Sequence, residues 1–170
     1  MSLNQNAQHQ ACNDRFFFRA PDERDVGDMA ALESQATSHP WTESLYLSSL
    51  HGRYFNQLIC QNLPNSAGLT EIVGFFIGEF VAGQASLFNI VVAPAYQGRG
   101  LGALLLQRFI TMAIEKDAVE CWLEVRASNM SAQHLYEKFG FMQTGIRPRY
   151  YPTATGHEDA ILMALPLKMG

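Results

Sequence analysis

The segment Leu87–Leu106, "LFNIVVAPAYQGRGLGALLL", constrains this chain more than any other. Five of its first six residues are apolar, with three β-branched side chains among them, which reads as a strand. Leu101, Leu104, Leu105, Phe109 and Met112 then recur at the i, i+3, i+4 spacing of a helix face, which predicts a helix to about Lys116. Between them lies the glycine-rich turn Gln97–Gly102. Such a strand, turn and helix need a layered α/β domain to bury both apolar faces. Glycines at the start of a helix also leave backbone N–H groups open to an anion.

The rest of the chain reads as a mixed sheet. Strands are expected at Arg15–Arg19, Tyr54–Gln61, Ile72–Phe80, Ala85–Val92, Val119–Val125, Met142–Ile146 and Asp159–Leu165. Gly74 and Gly78 mark a bulge in the third of these. A helix follows the cap residue Asp22, with Val26, Met29 and Ala30 on its apolar face. A second is capped by Thr42 and carries Leu45, Leu47 and Leu50, and a third, Asn129–Gly140, turns Ala132, Leu135, Tyr136 and Phe139 to one side. Asn62–Glu71 is expected as a long hairpin loop, and "RPRYYPTATGHE" as a loop between the closing strands. The order β-α-α-β-β-β-α-β-α-β-β predicts an α/β (mixed α+β) fold with a central, mostly antiparallel sheet and helices on both faces.

With 170 residues, 48% apolar and 16% charged, one domain with its own core is expected over 15–170, after a polar, disordered leader over 1–14. The leader has no apolar centre, so it does not read as a signal peptide. No apolar run approaches the roughly 18 residues of a membrane span. The net charge of -4 argues against a nucleic-acid surface. Cys12, Cys60 and Cys121 are an odd, scattered set without a C-x-x-C pair, and the five histidines make no ligand pair. No disulfide framework or metal site is expected, and a reducing cytoplasm fits.

Three readings of the turn compete. Gly98-x-Gly100-x-x-Ala103 satisfies a dinucleotide fingerprint, with Glu120 at the acidic position, but five residues including Pro94 intrude before the first glycine. A nucleotide-triphosphate loop would need a Lys followed by Ser or Thr, and Arg108 is the first basic residue after the turn. Taken as Gln97-x-x-Gly100-x-Gly102, the turn presents inward N–H groups to a pyrophosphate without a metal, with Arg99 as a further cation. An ordinary glycine-rich helix start remains the bland alternative.

Together with "WLEVRASNMSAQHLYEKFGF", "RYYPTATGHEDAILMALPL" and "HPWTE", the segment resembles the GNAT acetyltransferases, and within them the RimI type of ribosomal-protein alanine N-acetyltransferase, over about Phe18–Leu167. The resemblance implies the GNAT acyl-CoA N-acyltransferase fold and acetyl-CoA as co-substrate, with no metal. It implies that Ile90, Val91 and Val92 pair with the pantetheine arm, and that Gln97, Gly98, Arg99, Gly100, Leu101, Gly102 and Ala103 wrap the pyrophosphate. Asn129 would contact the coenzyme arm, Glu124 would be the general base and Tyr136 the general acid. Gly98 stands where relatives often carry a basic side chain. The implied partner is a protein N-terminus, the N-terminal alanine of a small-subunit ribosomal protein; a monomer in the cytoplasm is the separate expectation. Other N-termini, a small amine, or a CoA-binding module without turnover are the alternatives.

The chemistry needs such residues. An α-amine with a reference pKa of about 7.7–8.0 must lose a proton before it attacks a thioester, and a phenol with a reference pKa of about 10 stays protonated to serve a thiolate leaving group. Alternation turns Glu124 away from Leu123 and Val125, which fits either a cleft or a solvated sheet face. Tyr136 shares its helical stripe with Leu135 and Phe139, as a core tyrosine also would. A backbone N–H near Val91 or Val92 is the candidate oxyanion donor. Tyr150 and Tyr151, with Arg147, Arg149, Glu158 and Asp159, border the expected cleft and are candidates to grip the substrate. His134 lies beside the proposed acid, and Cys121 reads as a small buried hydrophobe.

Overall fold

Period-two and helical patterning sort the apolar side chains onto two faces of one sheet. The structure, a computed structural model, describes residues 15–167, so the leader expected over 1–14 lies outside it. The elements are β1 (Phe16–Arg19), α1 (Val26–Ala36), α2 (Glu43–Ser48), β2 (Tyr54–Asn62), β3 (Thr70–Val81), β4 (Gln84–Val92), α3 (Leu101–Glu115), β5 (Glu120–Arg126), α4 (Met130–Lys138), β6 (Met142–Thr153) and β7 (Gly156–Pro166). This is the expected order. The seven strands pair as β1-β2-β3-β4-β5-β7-β6, antiparallel except for β4 with β5.

On one face α3 buries Leu101, Leu105, Leu106, Phe109, Ile110 and Ala113 against β2–β5, and α4 adds Tyr136 to the same core. Phe109 stacks on Phe55 at 5.4 Å and meets Phe76 edge-on at 5.6 Å. Truncating it to Ala would cost about 3–5 kcal/mol. On the other face Val26, Met29 and Leu32 of α1 and Tyr46 of α2 cover Leu58, Phe75 and Ile77.

Some expectations are corrected. Asp22 caps a short 3-10 turn (Glu23–Asp25) that leads into α1. In α2, Leu45 and Leu47 are exposed and Tyr46 is the buried residue, because so short a helix can turn only one side chain fully under the sheet. The expected loop "RPRYYPTATGHE" is largely strand. β6 and β7 form one long hairpin whose pairing breaks between Arg147 and Tyr151 and resumes at Tyr151↔Glu158.

Two irregularities open the sheet. Ile77 pairs with Asn89 but Gly78 with Leu87, so Phe88 is an extra residue that bends β4 opposite one of the two glycines expected at a bulge. The parallel pairing of β4 with β5 covers only Gln84–Leu87 against Glu120–Leu123. Beyond it the strands part, and β4 keeps an unpaired edge from Phe88 to Val92. Gly74 lets β3 follow that bend: a Cβ there would stand 2.6 Å from the Val91 carbonyl oxygen, a backbone atom with no freedom to yield.

Candidate active site

The gap between β4 and β5 is a passage through the sheet. Cys121, Leu123 and Val125 of β5 are buried in the core beside α3 and α4, and alternation puts Glu124 on the opposite face. A cleft of roughly 400 Å³ fills the gap and touches both Glu124 and Tyr136. On the helix side it adjoins a cleft of roughly 760 Å³, with Ile90, Asn129 and Tyr136 common to both. On the other side it adjoins a groove of roughly 530 Å³, with Trp41, Phe88, Glu124 and Tyr151 among the shared residues.

The helix-side cleft is built from backbone. Gly100 is the N-cap of α3 at φ 80°, Gly98 stands at φ 74°, and no side chain caps the helix. By contrast, Thr42 caps α2 and Asn129 caps α4 through their side chains. The first N–H groups of α3 therefore have no partner within the helix and face a cleft lined by Gly98, Gly100, Leu101, Gly102 and Ala103. A Cβ at Gly98 or Gly100 would meet no protein atom within 4 Å. Gln97 braces the turn, its side-chain amide donating to the Val92 carbonyl at 3.1 Å. Arg99 does not line the cleft; its guanidinium lies 5.1 Å from the ring centre of Tyr96, which does. Tyr96 in turn donates to Glu71 at 2.9 Å, so the base of the 63–69 loop supports the turn. Val92 faces this cleft, Val91 the passage, and Ile90 both. This surface suits an elongated ligand carrying phosphates.

Tyr136 is 5% exposed, and burial, reinforced by the neighbouring Tyr151, holds its phenol well above the ordinary range. It remains a proton donor throughout neutral pH. Tyr151 is pushed up to about 12, first by burial and then by the charge of Glu124. Glu124 is paired through Oε1 with Arg147 Nε at 3.0 Å. Arg126 lies 4.5 Å over the Tyr151 ring and pairs with Glu158 at 2.9 Å. Tyr150 borders the groove, half-exposed, while Arg149 turns into left-handed backbone at φ 53° and donates its N–H to Asp159. Asn129 accepts from the Ala132 N–H and lines both the passage and the helix-side cleft; the exposed His134 lines the latter. Cys60 and Cys121 are buried, and burial raises both thiols, Cys121 to about 12, so neither suits an acyl-carrying nucleophile.

Sequence reasoning missed Glu33. It is 4% exposed, yet it lines the passage and accepts hydrogen bonds from the Trp41 N–H (2.8 Å), Asn89 Nδ2 (2.7 Å) and the Tyr46 hydroxyl. It thereby joins α1, α2 and the bulged part of β4. Its signal was its place seven residues after Val26 and four after Met29, on the apolar stripe of α1, where a carboxylate is out of keeping.

Comparison with known proteins shows the family and the fold. The profile of the Acetyltransferase (GNAT) family matches residues 26–141. The [ribosomal protein bS18]-alanine N-acetyltransferase of Salmonella typhimurium is 43% identical over 138 residues, 81% of this chain and 88% of that one. The Haemophilus influenzae enzyme of the same name is 42% identical over 134 residues, 78% and 86% of the two chains. The crystal structure of the ribosomal-protein-S18-alanine N-acetyltransferase from Escherichia coli superimposes with a TM-score of 0.81 at 37% identity, covering 91% of this chain and 96% of that one. An uncapped glycine turn, opening through a split sheet onto a carboxylate and a phenol, sits in a chain whose family these matches show: it belongs to the GNAT acetyltransferases and is an acetyl-CoA-dependent N-acetyltransferase.

Proposed function

We propose that this chain acetylates the α-amine of a protein N-terminus, the N-terminal alanine of a ribosomal protein like the bS18 named in its relatives, in a ternary complex. One observation carries the reading: a single passage touches Glu124 on one face of the sheet and Tyr136 on the other, and it joins a phosphate-suited cleft to an open groove. When bound, acetyl-CoA supplies an activated acetyl carbon and a thiolate leaving group.

The protein's part is binding and proton handling. The N–H groups of Leu101, Gly102 and Ala103 hold the pyrophosphate at the positive end of α3. The unpaired edge of β4 at Ile90–Val92 takes the pantetheine arm, and an N–H near Val91 or Val92 serves the developing oxyanion. Asn129 flanks the arm, and Arg99 stays at the rim as a further cation. Glu124 accepts the amine's proton, directly or through a water, and Tyr136 supplies a proton to the leaving sulfur. Trp41, Phe88, Tyr150 and Tyr151 give the groove an aromatic wall that extends past the passage, which favours a peptide over a small amine. None of the protein's described helices is long and apolar enough to cross a membrane.

The test is mass spectrometry of a short Ala-Arg peptide, with its side-chain amines blocked, after incubation with acetyl-CoA. One acetyl group on the α-amine, lost with Glu124→Gln, supports both substrate class and base. A peptide left unmodified by a protein that binds CoA would refute the N-terminal alanine assignment.

A further inference from the structure

We infer that Arg147 is a positioning residue for Glu124, and that it ties the base to the substrate groove. The inference rests on the reading of Glu124 as the base. Arg147 is the last residue of β6 in register before the break, paired with Ala160. The chain then runs through Pro148, which has no N–H to give a ladder, and the left-handed Arg149 before pairing again at Tyr151. The break separates the long hairpin into an inner part that fixes Arg147 and an outer part that begins at Tyr151, with Tyr150 in the break beside it. Arg147 bridges them: its Nε pairs with Glu124 Oε1, and its guanidinium carbon lies 5.3 Å from the ring centre of Tyr150. Tyr150 packs edge-on against Tyr151 at 5.0 Å. Glu124 and Tyr151 line both passage and groove, while Arg147 and Tyr150 line the groove.

The side chains of Arg147 and Glu124 are 53% and 28% exposed, so the pair is wet and adds little to stability. Its value is geometric. A glutamate has three rotatable bonds, and a base that wanders by an ångström loses much of its rate. Held by Oε1 from the groove side, Glu124 keeps Oε2 for the amine. Arg147 does not attract the substrate, because a guanidinium repels an incoming α-ammonium. Its removal should therefore lower kcat without raising the peptide KM. A part that merely shaped the groove would do the reverse.

Steady-state kinetics on the Ala-Arg peptide at saturating acetyl-CoA, with CoA binding by calorimetry and thermal melting as controls, tests this on Arg147→Gln, Arg147→Lys, Glu124→Gln and the double variant. Arg147→Gln should lower kcat about tenfold, the worth of one charged hydrogen bond. Peptide KM should not rise, and CoA affinity and melting should hold. Arg147→Lys should recover most of the rate, and the double variant should be no slower than Glu124→Gln alone. A raised peptide KM at unchanged kcat, a faster Arg147→Gln, an Arg147→Lys as slow as Gln, or losses that add in full would each overturn the inference. An inactive Glu124→Gln beside a fully active Arg147→Gln sinks this inference alone. A fully active Glu124→Gln sinks the base assignment and this inference with it.

Discussion

The wall of the passage that carries the glycine turn and the wall formed by the β6–β7 hairpin meet at Tyr136 and Glu124, yet they are made of different material. The first is backbone: an uncapped helix start, an unpaired strand edge, and side chains such as Gln97 that serve the main chain. The second is a ladder of side chains, Glu124 to Arg147 to Tyr150 to Tyr151 to Arg126 to Glu158, each rung a charge pair or a ring face. A backbone wall suits a ligand whose recognition must survive changes of side chain, because N–H groups do not change when residues do. A side-chain wall suits a partner that must be distinguished. The two should therefore fail differently when they are cut.

The largest failure belongs to the point where they meet. Glu124→Gln should lower kcat about a thousandfold, the usual scale of a general base, while calorimetry finds CoA binding unchanged. Weakened CoA binding in that variant would show that the two walls are not separable. Next comes Glu33, which braces the passage from below. Glu33→Ala leaves the Trp41 N–H, Asn89 and the Tyr46 hydroxyl without their acceptor and should cost about 3 kcal/mol of stability in a denaturant melt. A melt within error of the wild type would mean that water replaces the carboxylate without loss.

On the backbone wall, Gly100→Ala forces a Cβ onto a left-handed residue, at about 1–2 kcal/mol of local strain, and should weaken CoA binding about tenfold. Peptide KM and kcat at saturating acetyl-CoA should stay near the wild-type values. A fall in kcat instead would show that the turn also sets the chemistry.

This contrast explains what could be read in advance. The glycine turn, its strand and its helix are local in sequence, so period and glycine placement located them to within a residue or two. Glu124 and Tyr136 are twelve positions apart on separate elements; alternation and helical spacing gave their faces, and the roles proposed for them rest on family resemblance. The ladder was only half legible. Tyr150 and Tyr151 stood out as aromatics in a presumed loop, but the break that makes that loop a bulged strand is a matter of pairing with β7. No local pattern records which strand a residue will meet. The Arg147–Glu124 pair joins residues 23 positions apart and was invisible for the same reason. Glu33 was legible in principle, as a carboxylate on an apolar stripe.

The smallest effect probes the outer end of the ladder. Hydrogen bonds from Arg126, then from Ser128, hold the Glu158 carboxyl below its usual pKa of 4.5. A carboxylate whose folded pKa is depressed stabilises the fold fully above its unfolded value, and that contribution is lost as pH falls through the folded value. Wild type should therefore melt slightly higher than Glu158→Gln at neutral pH. The gap should close on acidification below the ordinary carboxylate range, where both side chains are neutral. CoA binding of the two proteins should stay alike at neutral pH, because Glu158 lies on the side-chain wall and the turn does not depend on it. If Glu158→Gln weakened CoA binding as much as peptide binding, the ladder would reach the glycine turn, and the division of the passage into a backbone wall and a side-chain wall would have to be abandoned.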